Sequence, residues 1–565
     1  MIRIVELFSG IGSQAKAFSR LGIDYEVINT CEWDFHSILA YDRIHKKGEL
    51  LPEYSEMDKP ELLEEIQKYT LSSDGKSPAS HTAFRSLSPY GLRAILSSIK
   101  NTHNFVSITD VKPEDLPDDI DIMTYSFPCQ DLSNVGAFHG YKNGIDREAG
   151  SRSGLLWEVE RILWNRKDMK LSMPRFLLME NVSALISKRH KSNFADWQES
   201  LRKMGYINQV YCLNALDFGL PQNRLRLFML SVYVEDLPER RQLVENYFVN
   251  HDLGNEIYRR SLNIQEPKLI DYLRTDYSNP TYRQEAMDCQ SNDTPSRKKI
   301  WEGNLKILDE NGNIASHVAT LTTKQDRDPN SGNLYMKPEG NRGNFRYLTP
   351  RECMLLMGFD EEDYNKLIHN NVELKKGAMA FTRDRIIRMA GNSIAVTVLQ
   401  YVFQQFLDLN NLLYQQAGHR GRKKKSTDVH DPETRSYNMS QIKSKNTKPE
   451  MMVSRYLYRA GFRRYQRNDR KLPGSPDFVF MKYRTVVFVN GCFWHGHNCK
   501  YFHWPQNNAD FWQKKITENQ ERDQRQKREL EDAGWKVLTV WECELKNNPE
   551  IVLRNLVSDI KGKTE

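Results

Sequence analysis

The sequence predicts an α/β protein of at least two folding units, and three observations carry that reading. A short apolar run at the amino terminus closes on a glycine turn and a helix. Further short apolar runs recur at the spacing of buried strands. A glycine-rich basic break near residue 420 is followed by a fresh set of strand and helix signals. Ile4-Val5-Glu6-Leu7-Phe8, then Ser9-Gly10-Ile11-Gly12, then a helical pattern over 14–21 is how a doubly wound sheet begins. Residues 25–30, 120–125, 176–179 and 226–232 fit buried strands of the same sheet. Between them, 60–69 reads as polar and helix-like.

From 235 to 344 the pattern loosens into Asn-, Gly- and Arg-rich sequence such as Asp326-Arg327-Asp328-Pro329-Asn330, which predicts a small irregular insertion rather than more sheet. Strand and helix signals resume near Arg346. Gly418-His419-Arg420-Gly421-Arg422-Lys423-Lys424-Lys425-Ser426 has no apolar periodicity and reads as an exposed linker over 417–427, equally compatible with a solubilising hinge and a phosphate-contacting tether. Beyond it, strands at 485–489 and 537–541 flank a long polar helix over 509–532, predicting a separate α/β domain over 428–565.

Composition narrows the function. The chain has 565 residues, 27% charged and 39% hydrophobic, enough for three or four folding units. No stretch approaches the roughly 18 uncharged apolar residues that span a bilayer, which argues against membrane and secreted roles. Eight cysteines are too sparse for a disulfide scaffold and predict packing, nucleophilic or metal-binding thiols in a reducing cytoplasm. A net charge of +7 permits a polyanionic partner.

Two constellations carry chemistry. In the first, Phe8 to Gly12 lets backbone approach a ligand closely, and Cys31-Glu32-Trp33-Asp34 places an acid suited to ribose hydroxyls one strand later; Asp110 follows another candidate strand. Together they suggest a nucleoside cofactor. Ser126-Phe127-Pro128-Cys129-Gln130 sets a thiol on a proline-stiffened loop at a strand's carboxyl end. Met179-Glu180-Asn181-Val182 adds a carboxylate at another, and Gln222-Asn223-Arg224-Leu225-Arg226 adds two alternating arginines. Cys31, Cys212, Cys289 and Cys353 have no supporting neighbours and read as packing or surface residues.

With Arg346-Tyr347-Leu348-Thr349-Pro350-Arg351-Glu352 and Gly391-Asn392-Ser393, these motifs follow the order found in the DNA cytosine-5 methyltransferases, which the chain resembles over about residues 1–410. The resemblance implies a Rossmann-like S-adenosylmethionine domain over 1–234 and 345–416, with 235–344 as target-recognition domain. Carbon 5 of cytosine is too weak a nucleophile to take a methyl group until a thiolate adds to carbon 6. Cys129 is then the nucleophile and Glu180 the partner of ring nitrogen 3. Arg224 and Arg226 stabilise the ring oxygen and orient the base, which must be flipped out of the duplex. By resemblance, Phe8 stacks on the cofactor adenine, Gly10 and Gly12 line its turn, Glu32 holds the ribose, Asp110 the adenine amino group, and Asn392 closes the pocket. The 78 positions between Glu32 and Asp110 exceed what compact relatives need, which puts the placement of Asp110 in question.

In the second constellation, Cys492-Phe493-Trp494-His495-Gly496-His497-Asn498-Cys499 crowds thiols and imidazoles together, and Trp541-Glu542-Cys543 adds another thiol. Cys492, His497, Cys499 and Cys543 are the expected structural zinc ligands; a site using His495 is the alternative. Asp477, in Leu472-Pro473-Gly474-Ser475-Pro476-Asp477-Phe478, begins a strand, and Glu450 offers a second acid, a set suited to magnesium-assisted attack of water on a phosphodiester. With Asp428-Val429-His430-Asp431, Thr434-Arg435-Ser436, Asn438-Met439, Phe511-Trp512 and Gly534-Trp535, this half resembles the very short patch repair endonucleases, which have a restriction-endonuclease-like core and nick 5′ to the thymine of a T:G mismatch. The resemblance implies that Asp477 binds magnesium, His495 activates water and Glu450 supports the metal-water network. It also implies that Met439, Phe493, Trp494 and Trp512 wedge beside the mismatch. Val489 and Asn490 depart from the family's threonine and histidine.

The two halves together predict a bifunctional enzyme of duplex DNA in a bacterial, nucleoid-associated cytoplasm, with mismatch-repair proteins and a cognate restriction endonuclease as further expected partners. The competing reading keeps the methyltransferase and makes the carboxyl-terminal zinc domain a DNA-binding module without cleavage; an RNA methyltransferase ranks third.

Overall fold

A computed structural model of the chain describes residues 1–128, 132, 145, 152–235, 237–415, 448–463, 465–467, 469, 471–492, 497, 499, 509–547 and 549–562. It divides into two compact units, Met1–Gly421 and Arg422–Glu565.

The first unit is built on six strands, β1 (Ile2–Leu7), β2 (Tyr25–Cys31), β3 (Ile122–Tyr125), β4 (Phe176–Val182), β5 (Tyr206–Asn214) and β6 (Leu225–Tyr233), in the order β2-β1-β3-β4-β6-β5. The first four run parallel, with Ile4 beside both Val27 and Ile122. The last two do not: β6 is antiparallel to β4 and to β5, so the doubly wound α/β sheet is a mixed one. Strand β5 had no counterpart in the sequence reading. Alternate residues face opposite layers, as the two-residue strand period requires. Ile4, Ile122, Phe176 and Leu178 enter one core, and Val5, Leu7, Met123, Tyr125, Leu177 and Met179 the other. Glu6 shares the face of Ile4 and is fully buried. Burial pushes its carboxyl up to about 8, against the opposing pull of the Tyr41 hydroxyl and the Ala15 amide.

Helix α1 (Ser13–Leu21) follows the glycine turn and α2 (Phe35–His45) follows β2, capped by the Asp34 side chain on the His36 amide. The long segment after α2 is helical well beyond the expected 60–69. It holds Pro52–Ser55, Lys59–Ile66 with an Asp58/Glu61 capping box, His81–Arg85, and α3 (Pro89–Asn101), which buries Leu92, Ile95, Leu96 and Ile99.

The 235–344 segment is not an irregular module. Helix Pro238–Asn250 packs on the main core, Tyr247 donating to Asp408 at 2.8 Å, and strands β7 (Gln290–Asn292), β8 (Lys306–Leu308), β9 (Asn333–Tyr335) and β10 (Arg342–Tyr347) form a second sheet in the order β7-β10-β9-β8. Because β10 runs through the expected boundary at 344, Arg346 and Tyr347 belong to this small sheet. Arg346 forms a fully buried bidentate ion pair with Glu352, at 2.7 and 2.8 Å. A hairpin, β11 (Glu373–Lys375) and β12 (Ala378–Met379), receives α3 so closely that a side chain at Gly91 would meet the Leu374 carbonyl at 2.8 Å. Helices α4 (Arg383–Asn392) and α5 (Val396–Asn410) complete the unit. The span 383–414 is long and apolar enough to cross a bilayer, but 67% of its apolar window is buried and Phe403 stacks on Phe18 of α1 at 4.0 Å, so its apolarity is that of a core helix.

In the second unit, α6 (Lys448–Arg459) precedes a four-stranded sheet ordered β13 (Gln466–Arg467), β14 (Phe478–Phe480), β15 (Thr485–Asn490) and β16 (Lys536–Trp541). Strands β14 and β15 form an antiparallel pair, and β16, reached through the long helix α7 (Ala509–Asp532), lies parallel to β15.

Candidate active sites

Open α/β sheets bind ligands at the carboxyl ends of strands where their order reverses, and here β1 lies between β2 and β3. Phe8 (φ 57°), Gly10 (φ 55°) and Gly12 (φ 80°) turn the chain there through left-handed conformations. A side chain at Gly10 would project into open space, whereas one at Gly12 would strike the His45 ring at 2.3 Å, so the turn is seated on α2 with its Gly10 side clear. Glu32 follows β2 and reaches back: its Oε2 accepts from the Gly10 amide at 3.0 Å and its Oε1 from the Asp34 amide at 2.9 Å. Burial, then the charge of Asp34, pushes the Glu32 carboxyl up to about 7. Asn104 exchanges two hydrogen bonds with the Glu32 main chain, at 3.0 and 3.1 Å.

Asp110 does not follow a full strand. Asn104 makes a single bridge with Thr30, and Asp110 lies exposed in the turn beyond, accepting from Thr70 at 3.3 Å and Thr109 at 3.2 Å. Asn392, exposed at the end of α4, sits close to the glycine turn in the chain path, since the Ile394 amide donates to the Ser13 hydroxyl at 3.2 Å.

Cys129 lies outside the described residues. The residues leading to it are held from the sheet: the Asn181 amide donates to the Phe127 carbonyl at 3.1 Å, and the Ser153 hydroxyl to the Pro128 carbonyl at 2.6 Å. Glu180 is buried, with Oε2 accepting from the Ser126 hydroxyl at 2.6 Å and Oε1 facing Arg226 Nε at 3.5 Å. This follows from register, because Val182 of β4 lies opposite Arg226 of β6.

Arg224, expected to act with Arg226 on one ring, has a different set of partners among the described residues. It precedes β6, is buried, and donates to the carbonyls of Leu321 at 3.0 Å, Gly391 at 3.0 Å and Ser393 at 2.8 Å. Its neighbour Gln222 bonds the Leu356 carbonyl and the Leu321 amide, at 2.8 and 2.9 Å. Sequence reasoning had also passed over Ser126, Asn104 and Asp34. Of these, Ser126 lies three positions before Cys129 and Asp34 two after Glu32, and an aspartate directly before a helix is a recognisable cap.

In the second unit Asp477 immediately precedes β14, and its Oδ2 accepts from the Val489 amide at 2.7 Å. Asn490 ends β15. Glu450 is buried in α6, with Arg467 at 3.8 Å. Cys492, His497, Cys499 and Cys543 bring their ligand atoms within 4.8 Å of one another, Cys543 Sγ lying 3.3 Å and Cys492 Sγ 3.7 Å from His497 Nδ1. The carboxyl ends of the parallel strands β15 and β16 feed this cluster, and the His497 ring stacks on Trp541 at 4.0 Å. A tight set of sulfur and nitrogen donors is the chemistry of a zinc site. Met439, Phe493, Trp494 and His495 lie outside the described residues; Trp512 lies in α7, with its side chain outside them.

Residues 83–408 match the family model of the C-5 cytosine-specific DNA methylases, and residues 427–501 that of the DNA mismatch endonuclease Vsr. The chain is 30% identical over 427 residues to the orphan methyltransferase M.SssI of Spiroplasma monobiae, covering 72% of this chain and 97% of that relative. It is 50% identical over 137 residues to the type II nicking enzyme V.NmeAIP of Neisseria meningitidis, covering 24% of this chain and 97% of the relative. It is 44% identical over 124 residues to the DNA mismatch endonuclease Vsr of Escherichia coli, covering 22% and 79%.

Proposed function

The chain belongs to the C-5 cytosine-specific DNA methylase family and carries a Vsr mismatch-endonuclease domain on the same polypeptide, and from that premise we propose how its residues divide the two reactions. S-adenosylmethionine follows from the family and supplies the methyl group when bound. Phe8, Gly10 and Gly12 form the face on which its adenosyl part rests, Glu32 takes the ribose hydroxyls on the lone pairs left by two amides, Asp110 reaches the adenine, and Asn392 closes the site. The open space beside Gly10 supports this placement.

Cys129 adds as thiolate to carbon 6 of a flipped cytosine, and the electron pair released into the ring makes carbon 5 nucleophilic. Glu180 holds ring nitrogen 3, and Arg226 the ring oxygen. Arg224 acts behind them as a brace. The observation that carries this assignment is the Ser126–Glu180–Arg226 set at the carboxyl ends of β3, β4 and the facing end of β6, with Ser126 three positions before Cys129 in the chain. Once carbon 5 has accepted the methyl group, transfer of its proton to a base expels the Cys129 thiolate and restores the ring double bond. A duplex with 5-fluorocytosine at the target lacks that proton, and should leave Cys129 covalently attached to DNA. Methylating protein that forms no adduct overturns the scheme.

In the second unit, Cys492, His497, Cys499 and Cys543 hold structural zinc, and Asp477 with Glu450 and His495 serve magnesium-assisted hydrolysis 5′ to the thymine of a T:G mismatch. Met439, Phe493, Trp494 and Trp512 wedge the mispaired step. Deamination of 5-methylcytosine yields that mismatch, so the second unit repairs the mutagenic product of the first. A T:G duplex incubated with protein and magnesium should be nicked once. Intact duplex, with methylation unimpaired, would favour the reading motivated by Val489 and Asn490, a carboxyl-terminal domain that only binds DNA.

A further inference from the structure

The segment between α2 and α3 reads as an excess in the chain, yet part of it is built into the cofactor side of the sheet. Ser72 clamps the turn after Glu32 by main-chain bonds in both directions: its amide donates to the Trp33 carbonyl at 2.7 Å, and its carbonyl accepts from the Phe35 amide at 3.1 Å. Its hydroxyl then organises the following loop, donating to the Ser77 carbonyl at 2.7 Å and accepting from the Gly75 amide at 2.9 Å. Two elements distant in sequence, the 71–79 loop and the turn carrying Glu32, are thus one piece.

Helix α4 fastens that piece. Arg388 donates through Nη2 to Asp34 Oδ2 at 3.1 Å and through Nη1 to the Asp74 carbonyl at 3.2 Å, reaching both the Glu32 turn and the added loop with one guanidinium. One turn earlier Arg385 contacts His36, whose other ring nitrogen faces Asp34 Oδ1 at 3.1 Å. At its far end the same helix is tied to the glycine turn through Ile394 and Ser13. Asp34 in turn places its amide on Glu32 Oε1. A continuous set of bonds therefore runs from Arg388 through Asp34 to the carboxylate that faces the glycine turn.

We propose that Arg388 is a positioning residue for cofactor binding, setting Glu32 through Asp34 and holding the 71–79 loop as a wall of that site. This rests on the reading of Glu32 as the ribose acceptor. Arg388 touches no reacting atom, so its removal should act on binding and not on chemistry.

In the full-length protein, Arg388→Gln should weaken S-adenosylhomocysteine binding, measured by titration calorimetry without turnover, by roughly tenfold, the scale of a lost charge-assisted hydrogen bond. KM for the methyl donor should rise in step while kcat stays within about twofold. Arg388→Lys, able to reach one of the two acceptors, should recover part of the loss. Asp34→Asn combined with Arg388→Gln should bind no worse than the weaker single variant, because both cut one contact. Wild-type binding by Arg388→Gln, or single effects that add in the double variant, overturns the proposal. Glu32→Gln measured alongside separates the two readings. Weak binding there with normal binding by Arg388→Gln rejects the positioning role alone. Normal binding by Glu32→Gln rejects the ribose assignment and, with it, the route through Glu32.

Discussion

The two units place their chemistry in the same way and stabilise it differently. In each, the carboxyl ends of neighbouring parallel strands lead into the residues proposed for function: β1 and β2 into Phe8, Gly10 and Glu32, and β15 and β16 into Cys492 and Cys543. The larger sheet is covered on both faces by extensive apolar layers. The smaller sheet has one such layer. On its other face Val479, Val486 and Leu530 are the buried apolar residues among those described. Small cores need a second source of stability, and the sulfur-nitrogen cluster sits at the carboxyl ends of β15 and β16.

That contrast can be broken most severely at the proposed zinc ligands. A strong chelator, or Cys543→Ser, should unfold the smaller unit and abolish nicking while methylation persists, since structural zinc in isolated fingers contributes on the order of 10–16 kcal/mol to folding. Calorimetry showing both units melting together, or active protein free of zinc, would reject the difference. Next come the chemical residues. Cys129→Ser should remove methyl transfer and spare nicking, and Asp477→Ala should do the reverse; loss of both activities in either variant would mean that the units are not separate sites.

Within the larger unit, Arg226→Ala should lower methylation kcat by about 10²–10³-fold with little effect on stability, the range for losing one oxyanion donor. Arg224→Ala should instead lower the melting temperature, costing about 2–4 kcal/mol as carbonyls are left unsatisfied. Interchanged phenotypes would reverse the assignment of the two arginines.

The smallest effect is on pH. Folding raises Glu6 to about 8 and Glu32 to about 7 from an ordinary 4.5. The folded state therefore holds these protons more tightly; the stabilisation is complete below about 4.5 and is lost as pH rises through 7 and 8. Melting of the larger unit without cofactor should weaken from pH 5 to 8.5, and Glu6→Gln should flatten the upper part of that decline. An unchanged slope would place the linkage elsewhere.

Much of this was legible from local sequence. Glycine turns, apolar strand runs and the cysteine-histidine crowding each declare themselves within a few residues. Strand β5 was not, because Tyr206–Asn214 is an edge strand whose Asn208, Gln209 and exposed Cys212 interrupt the apolar run, and its direction is set only by pairing with β6. The 235–344 segment was misjudged because its strands are three to six residues long and gain their order from one another. The Asp34–Arg388 contact joins residues 354 positions apart, and nothing near either one announces the other. The two arginines looked equivalent by alternation, but Arg224 stands just before β6 begins, so the strand period does not govern where it points.

The inserted segment meets Gln222 and Arg224 through its own main chain: Val318 pairs with Pro221 and Asn223, and Leu321 offers its carbonyl to Arg224 and its amide to Gln222. Side chains reinforce these peptide bonds: Val318 and Leu321 are buried in the main core, and the Thr320 hydroxyl donates to the Asn223 carbonyl at 2.6 Å. Variation in this segment is therefore constrained at 318–321, where both peptide groups and buried side chains fasten it. A proline at 318 or 321, lacking the amide, or a charged residue in place of either apolar side chain, would be refused.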